Sequence, residues 1–379
     1  MPKYRFDEIA INSTEKKKPV EADKDTYIGL EHLDSGCLEV TRWGSDVAPI
    51  GDKLVMRKGD VLFGRRRAYQ KKVAVAPFDG IFSAHGMVLR PIESVISKEL
   101  FPFFISSDYF LDAAIKISVG SLSPTINWRD LAKLEFVVPP LDEQEAISGI
   151  LWAMNRLKVA YTTLLQQADA LVQSQFVEMF GEASKKENKY PLKALSEVCE
   201  IIQDGEHATV KRTDEGNLFI SSRNIKTDHS ILLDTVTFIS DSDFERIRKR
   251  FAPKQGDIIL TCAGTIGNSA IVPEMQPFVA DRGLTMIRPN RDLVGSIYLH
   301  ACILSSFVQQ QMQTGIHATA LAHLYLNKIN ALQIIVPPLQ EQKRFESLMI
   351  QTDKSKLAIR QALESLEKSR SAIMTKVFG

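Results

Sequence analysis

Four cysteines, Cys37, Cys199, Cys262 and Cys302, are scattered through 379 residues with no CxxC pair and no histidine at metal-ligand spacing. That argues against a zinc site or a disulfide framework and for reduced, mostly buried thiols. No apolar run approaches the roughly 18 to 20 residues that cross a bilayer. The first residues, Met1 to Asp7, place no apolar core behind their charges, so neither a membrane span nor a secretory signal is expected and the chain is read as cytoplasmic. Charge of one sign is also missing, because 47 basic residues against 46 acidic leave a net charge of +1. Contact with nucleic acid must then come from local patches or from an assembly, not from bulk charge. Motifs of catalysis are absent too: GxxxxGK[ST], HExxH and GxSxG do not occur, and both Pro-Pro pairs follow valine instead of the Asn or Asp of an amino-group methylation motif. The chain is expected to be no enzyme and to hold no metal or cofactor; a nuclease site assembled from scattered carboxylates is the rival.

What is present is a repeat. Val137-Val138-Pro139-Pro140-Leu141-Asp142-Glu143-Gln144 recurs 198 residues later as Ile335-Val336-Pro337-Pro338-Leu339-Gln340-Glu341-Gln342, with six of eight positions identical. Phe180-Gly181 recurs at the same offset as Phe378-Gly379, so the two intervening stretches have equal length. Each follows a Pro-Pro pair and ends at glycine, as a helix does. In the first, Ile147, Met154, Tyr161 and Ala168 fall seven apart, interleaved with Ile150, Leu157, Leu164 and Leu171, a heptad stripe. The second stripe runs through Phe345, Leu348, Met349, Thr352, Ile359, Leu363, Leu366, Ile373 and Val377, interrupted by Lys356 and Arg370. Some 38 helical residues make a rod about 55 to 60 Å long. Two such helices could each pack on their own domain; antiparallel pairing uses both stripes and gives the equal lengths a reason.

The segments before the helices also correspond. Phe6-Asp7-Glu8-Ile9-Ala10 matches Leu195-Ser196-Glu197-Val198-Cys199, Gly59-Asp60-Val61-Leu62-Phe63 matches Gly256-Asp257-Ile258-Ile259-Leu260, and Leu89-Arg90-Pro91 matches Ile287-Arg288-Pro289. Short β-branched runs, punctuated by Gly and Pro, alternate with helical stretches near 97–117 and 292–313. The predicted class is α+β: two mixed α/β domains, 1–140 and 182–338, joined by two long antiparallel coiled-coil helices, 141–181 and 339–379, in an internal pseudo-two-fold repeat. The polar run Glu182 to Lys189 marks the linker.

The doubled phrase VPPLxEQ, opening a long helix that closes near Phe-Gly, resembles the conserved regions of the specificity subunits of type I restriction-modification systems. Tyr27-Ile28-Gly29-Leu30-Glu31-His32-Leu33, Gly59-Asp60-Val61-Leu62-Phe63-Gly64 and Gly264-Thr265-Ile266-Gly267 are similar to recurrent elements of that family's target recognition domains. The resemblance covers essentially the whole chain. It implies that each domain reads one half of a split, asymmetric target in double-stranded DNA while the helix pair fixes the gap. Two copies of a methyltransferase subunit would dock on the helices, bringing S-adenosylmethionine and flipping an adenine for N6 methylation. A separate restriction and motor subunit would join for cleavage, so that ATP and Mg belong to partners. A scaffold that binds no DNA is the rival from another class.

The densest basic run is Arg65, Arg66, Arg67, Tyr69, Gln70, Lys71 and Lys72, five cations in eight residues. Mobile cations suit phosphates, and the arginine fork or glutamine amide suits base edges; a solvated loop is the alternative. The second domain has no such run at the matching place. Its loop around Thr265 could offer backbone amides to a phosphate, or be a tight turn. His207, Thr209, Arg223 and Asn224 lie near glycine or serine in polar phrases suited to base readout. Arg246 to Arg250 reads as a basic helix whose Arg248 and Arg250 are candidates for phosphate, the remainder being solvated. The residues expected at the helix pair or a docked partner are Ile147, Met154, Leu157, Tyr161, Leu164, Leu171, Phe345, Leu348, Ile359, Leu366 and Ile373.

Overall fold

The β-branched segments of each repeat form strands buried on both faces. In the computed structural model, which describes residues 2–181, 189–315 and 322–378, Val61 and Phe63 enter one hydrophobic core while Leu62 between them enters another. Ile258 and Leu260 divide from Ile259 in the same way. A strand so placed has no polar face, which is why both phrases read as continuous apolar runs. Met1, Gly379 and all of the expected linker except Lys189 lie outside the described residues.

The chain divides into two compact units, Met1–Leu164 with Ile359–Gly379, and Leu165–Ala358. In the first, Lys3–Arg5 pairs antiparallel with Glu135–Val137. A four-stranded antiparallel sheet runs in the order Ala10–Ser13, Met87–Pro91, Val61–Phe63, Val73–Val75. One face carries the helices Phe101–Ser106 and Asp108–Lys116, and the other a second sheet that includes the parallel pair Tyr27–Ile28 and Gly80–Phe82. The second unit repeats this order. Leu192–Ala194 pairs with Gln333–Ile335, the main sheet runs Cys199–Asp204, Leu284–Pro289, Ile258–Thr261, Ser269–Ile271, and a smaller sheet holds the parallel pair Asn217–Ile220 and Phe278–Ala280. Each expected helical stretch before the long helix is two helices, broken at Ser107 and at Ser305. Ser107 Oγ accepts from Phe110 N (3.2 Å), an N-cap that restarts the helix.

Two buried devices appear once per unit. Asp60 takes both arms of Arg90, Nε at 2.8 Å and Nη2 at 2.9 Å, and accepts from Arg57 N. Asp257 does the same with Arg288, at 3.0 and 2.6 Å, and accepts from Lys254 N. The glycine before each aspartate has a positive φ, 90° at Gly59 and 86° at Gly256, conformations that favour glycine. This explains the repeated Gly-Asp and Arg-Pro phrases: one tight turn and one fork that locks two strands. The second device is the glutamine of the repeated VPPLxEQ. Gln144, wholly buried, accepts from Ser97 N (2.6 Å) and donates to Val95 O (2.9 Å) and Pro139 O (2.8 Å). Gln342 accepts from Gly295 N (3.0 Å) and donates to Leu293 O (2.9 Å) and Pro337 O (2.8 Å).

The long helices are Leu141–Phe180 and Leu339–Phe378. In the first unit the opening of one and the close of the other run antiparallel. Lys158 Nζ lies 2.7 Å from Glu367 Oε1, and Leu151, Ile373, Met374 and Phe378 join one core. In the second unit Lys356 Nζ lies 2.6 Å from Asp169 Oδ1, and Phe345 packs on Phe176 and Phe180 with ring centroids 5.5 Å apart. Lys356, which interrupts the stripe in sequence, is therefore a seam residue with an acidic partner across the pair, whereas Arg370, the other interruption, meets Glu367 of its own helix at 3.2 Å. On the first helix Leu151 is buried, and Ile147, Met154, Lys158, Tyr161 and Leu165 are half-buried along the same stripe. Leu157, Leu164 and Leu171 are not in the seam: they are 47%, 46% and 50% exposed. The inward stripe advances by alternate steps of four and three residues, and leaves Leu157, Leu164 and Leu171 on the outer face. On the second helix Phe345 is buried and Leu348, Ile359, Leu366 and Ile373 are half-buried.

His300 is buried on the helix Ser296–Leu304, its Nε2 3.2 Å from Ser269 O, with the ring of His229 5.4 Å away. Burial pulls its pKa down to about 4, with His229 pushing the same way against the Ser269 carbonyl. An imidazole kept neutral in the fold stabilises it above the unfolded value near 6.5, and that contribution falls away as pH drops towards 4. Denaturant unfolding across this window should show a loss on the order of 3 kcal/mol from this group. His300→Gln, which keeps a donor towards Ser269 O, should flatten the dependence; equal acid sensitivity in both proteins would assign it to other groups.

Candidate functional site

In the first unit the loop joining Val61–Phe63 to Val73–Val75 carries the basic run, and the structure separates its members. Arg65 faces inward: its Nη2 donates to Ala84 O at 3.2 Å, and its carbonyl accepts from Ile126 N at 3.0 Å. Lys72 Nζ donates to Leu30 O at 2.6 Å, tying the loop to the turn of the second sheet. Lys71 is ion-paired with Asp108 at 2.5 Å and Asp112 at 3.2 Å, so its charge is largely spent on the protein. The Gln70 side chain is half-buried and its carbonyl accepts from the Ser35 hydroxyl. Arg66, Arg67 and Tyr69 remain exposed, Tyr69 at 55%. Arg67 takes a left-handed backbone, φ 54°, closed by its N–H donating to Pro124 O at 2.7 Å. Of the seven expected contact residues, three present themselves and the others build the loop that presents them.

His85 was not singled out by the sequence. Its Nε2 is 3.4 Å from Arg66 Nη1, and burial together with Arg66, Arg65 and Lys53 pulls its pKa down, keeping the ring neutral near pH 7. A neutral imidazole can accept as well as donate, unlike the arginines beside it. The available signal was positional: His85-Gly86 stands in one repeat where Arg282-Gly283 stands in the other.

The second unit gathers its own loops at the same end of its main sheet. Glu206 N donates to Ala280 O (2.7 Å) and Asp281 N to Ile220 O (3.1 Å), which draws the segments after three strands together. His207, Thr209, Arg223 and Thr265 are all exposed on these loops. Thr265 tips a tight turn between antiparallel strands, with Gly264 at φ 77° and Gly267 at φ 94°. Gly267 N donates to Thr261 O at 3.0 Å, so this amide is turned inward, away from any phosphate. Asn224 is a correction. It is 2% exposed, its Oδ1 accepting from Ser221 N (2.9 Å) and its Nδ2 donating to Leu232 O (3.0 Å), an amide consumed by its own turn. Arg248 pairs on the surface with Glu245 at 3.3 Å, and Arg250 donates to Gly205 O at 3.1 Å. Arg246, bridged to Glu206 at 3.0 Å, joins Arg250 in holding the loop that carries His207.

Two further exposed arginines belong to this surface. Arg212 lies over the Phe219 ring, 3.9 Å to its centroid, a stacked cation. Arg282 is on the turn after Phe278–Ala280. Burial pushes the Asp281 carboxyl up, against the pull of Gly283 N–H and of Arg212, Arg223 and Arg282 around it. The cluster is thus three arginines about one half-buried acid.

Among the described residues no group of three His, Cys, Asp or Glu side chains could hold a metal ion, and no helix is long and apolar enough to cross a membrane. Cys262 and Cys302 are buried, Cys37 and Cys199 half-buried; burial pushes the thiols of Cys199, Cys262 and Cys302 up to about 12.

Comparison with known proteins gives a consistent result. The profile of a family described as "Type I restriction modification DNA specificity domain" matches residues 10–168 and 187–368. The type I restriction enzyme EcoDI specificity subunit of Escherichia coli is 26% identical over 145 residues, 38% of this chain and 32% of that protein. A protein of Methanocaldococcus jannaschii named for the type I restriction enzyme MjaX specificity subunit is 23% identical over 335 residues, 83% of this chain and 76% of that protein. The match thus spans about a third of the length of the E. coli relative and three quarters of the other. Among solved structures, the type I restriction-modification S subunit from M. genitalium aligns with a TM-score of 0.58 at 14% identity, over 100% of this chain and 96% of that one. A chain from a study of complex assembly and conformational transition of the type I R-M system aligns with a TM-score of 0.57 at 19% identity, over 100% and 97%. At these identities the structural likeness is one of fold.

The division of the basic loop is testable by itself. Replacing Arg66 and Arg67 with alanine should leave unfolding stability within about 0.5 kcal/mol, as for exposed positions, and weaken retention on immobilised heparin. Lys72→Ala should instead cost stability, about 1 kcal/mol or more for a lost charged hydrogen bond. Calorimetry and salt elution of these variants decide it; the reverse pattern would overturn the division.

Proposed function

The chain belongs to the type I restriction modification DNA specificity family, and from that membership we propose that it is a non-catalytic subunit which reads a split, asymmetric DNA target. The observation that supports this most directly is the pairing of a repeated frame with unlike loops. Both units hold the same sheet order and the same Asp–Arg fork, yet one presents Arg66, Arg67 and Tyr69 where the other presents Gly264 and Thr265, and His85 where the other presents Arg282. Two similar frames with different donors and acceptors suit two different half-sites. Exposed arginines anchor on phosphate or guanine, and Thr, His and Tyr read edges or contact sugar. The near-zero net charge puts affinity in these patches and in the partners, so binding falls steeply with salt.

On this reading the two long helices hold the half-sites a fixed distance apart. The stripe Ile150, Leu157 and Leu164, half-exposed on the outer face of the first helix, is the place for a methyltransferase subunit to dock, with a second copy using the repeat-related surface. S-adenosylmethionine, ATP and Mg then enter only with partners, the methyltransferase and a restriction and motor subunit, and the complex works in the cytoplasm.

The test is long-read methylation sequencing of host DNA with and without the gene. N6-methyladenine should vanish from one split, asymmetric motif; an unchanged methylome, in cells expressing the chain with its methyltransferase, would refute the reading. The spacing role has its own test. Inserting seven residues at repeat-related points in both long helices adds about 10 Å, and should lengthen the gap by about two or three base pairs while keeping both half-sites. Altered half-sites with the old gap would exclude the helices as the spacer.

A further inference from the structure

In the first unit the segment 119–125 is a small hairpin standing beside the basic loop. Val119 and Thr125 exchange both backbone hydrogen bonds, 3.0 and 2.9 Å, and close it. Arg67 N donates to Pro124 O (2.7 Å), Ile126 N donates to Arg65 O (3.0 Å), and Arg66 bridges to Thr125, so its base is tied to the residues that carry the exposed arginines. At its tip Leu122 is 92% exposed, and Val119 beside it 58%. Arg67 Nε lies 3.4 Å from Ser123 Oγ, one residue from that leucine.

An exposed leucine is ordinary when it stands alone on a surface. This one is different in its setting: it is carried on a closed hairpin and flanked by two exposed cations. The fold does not use it, and water gains nothing from it. Against DNA the same arrangement has a use, because apolar wedges such as Leu, Ile, Met or Phe enter between base steps, partly unstack them and kink the duplex. Unstacking is unfavourable, and it is offset where cations beside the wedge hold the backbone on either side.

Resting on the DNA-reading function, we propose that Leu122 is a wedge which enters between two stacked base pairs of the half-site read by the first unit, while Arg66 and Arg67 hold the flanking phosphates. Part of that half-site's sequence preference then comes from the flexibility of the step it opens. Pyrimidine–purine steps, which unstack most readily, are favoured there without any hydrogen bond to their edges. Leu122 is a positioning residue, since it touches DNA but transfers nothing.

The test uses the assembled complex of this chain with its methyltransferase subunits and a duplex carrying the motif found by methylation sequencing. 2-Aminopurine is placed in turn at each purine of both half-sites except the methylated adenine. With the unaltered chain, fluorescence should rise on binding at one step of one half-site only. Leu122→Ala should abolish that rise and weaken binding about ten- to a hundredfold, the scale of losing a buried leucine side chain; Leu122→Met should keep most of both. A complex that binds its motif with no rise away from the methylated adenine, or with a rise that survives Leu122→Ala, overturns the wedge and leaves the specificity function standing. If Leu122→Ala instead blocks assembly with the methyltransferase, the leucine is a protein contact and the wedge is wrong. A complex that binds no DNA overturns the specificity function itself.

Discussion

Each long helix begins in one compact unit and ends in the core of the other, and the rest of the molecule is arranged around that exchange. Its two ends are held by different means. At the start a buried glutamine, Gln144 or Gln342, satisfies one amide and two carbonyls of the preceding segments, so the helix leaves its unit at a set angle. At the finish a buried phenylalanine closes the core: Phe180 against Tyr190, Tyr298 and Phe345, Phe378 against Phe104. With a clamp at both ends, the number of residues between them is not free to drift. The equal spacing of the repeated phrases follows from this.

Between the clamps, the seam is not wholly apolar. Lys158 with Glu367, and Lys356 with Asp169, occupy repeat-related positions and pair across the helices. Partly buried ion pairs add little net stability, but a shifted or parallel alignment leaves each charge against an apolar neighbour. They select one register at small energetic cost. The same division between frame and variation governs the domains, where strands buried on both faces and the Asp–Arg forks leave the turn residues at one end to differ. Arg65 to Arg67 and Cys262 to Gly264 occupy equivalent places after equivalent strands and share no chemistry.

Much of this architecture is legible in the sequence because repetition makes it so. The doubled phrases locate both helices, their ends, and the order of domains, since Pro-Pro, glutamine and Phe-Gly each have a local physical task. Of the two stripes read from the sequence, the one through Ile147, Met154 and Tyr161 is half-buried and its companion is exposed. Ile150, Leu157 and Leu164 are as regular as Leu151, Lys158 and Leu165 and more apolar, and only the acid on the other helix shows why a lysine belongs inside. Side-chain roles at the loops are harder for a similar reason. The charge of Lys71 is met by Asp108 and Asp112 far along the chain, and an asparagine that completes its own turn, as Asn224 does, reads the same as one that faces solvent. The exposed arginines at 212 and 282 carry no local pattern; they are gathered by strand order, through Asp281.

The exchange of helix ends also sets an order of events during synthesis. The core of the first unit is missing Ile373, Met374 and Phe378 until after every residue of the second unit, complete at Ala358, has been made. The domain made first is thus the one finished last. Until then it exposes a phenylalanine-rich gap around Phe104, and the contact that fills it joins residues far apart in the chain.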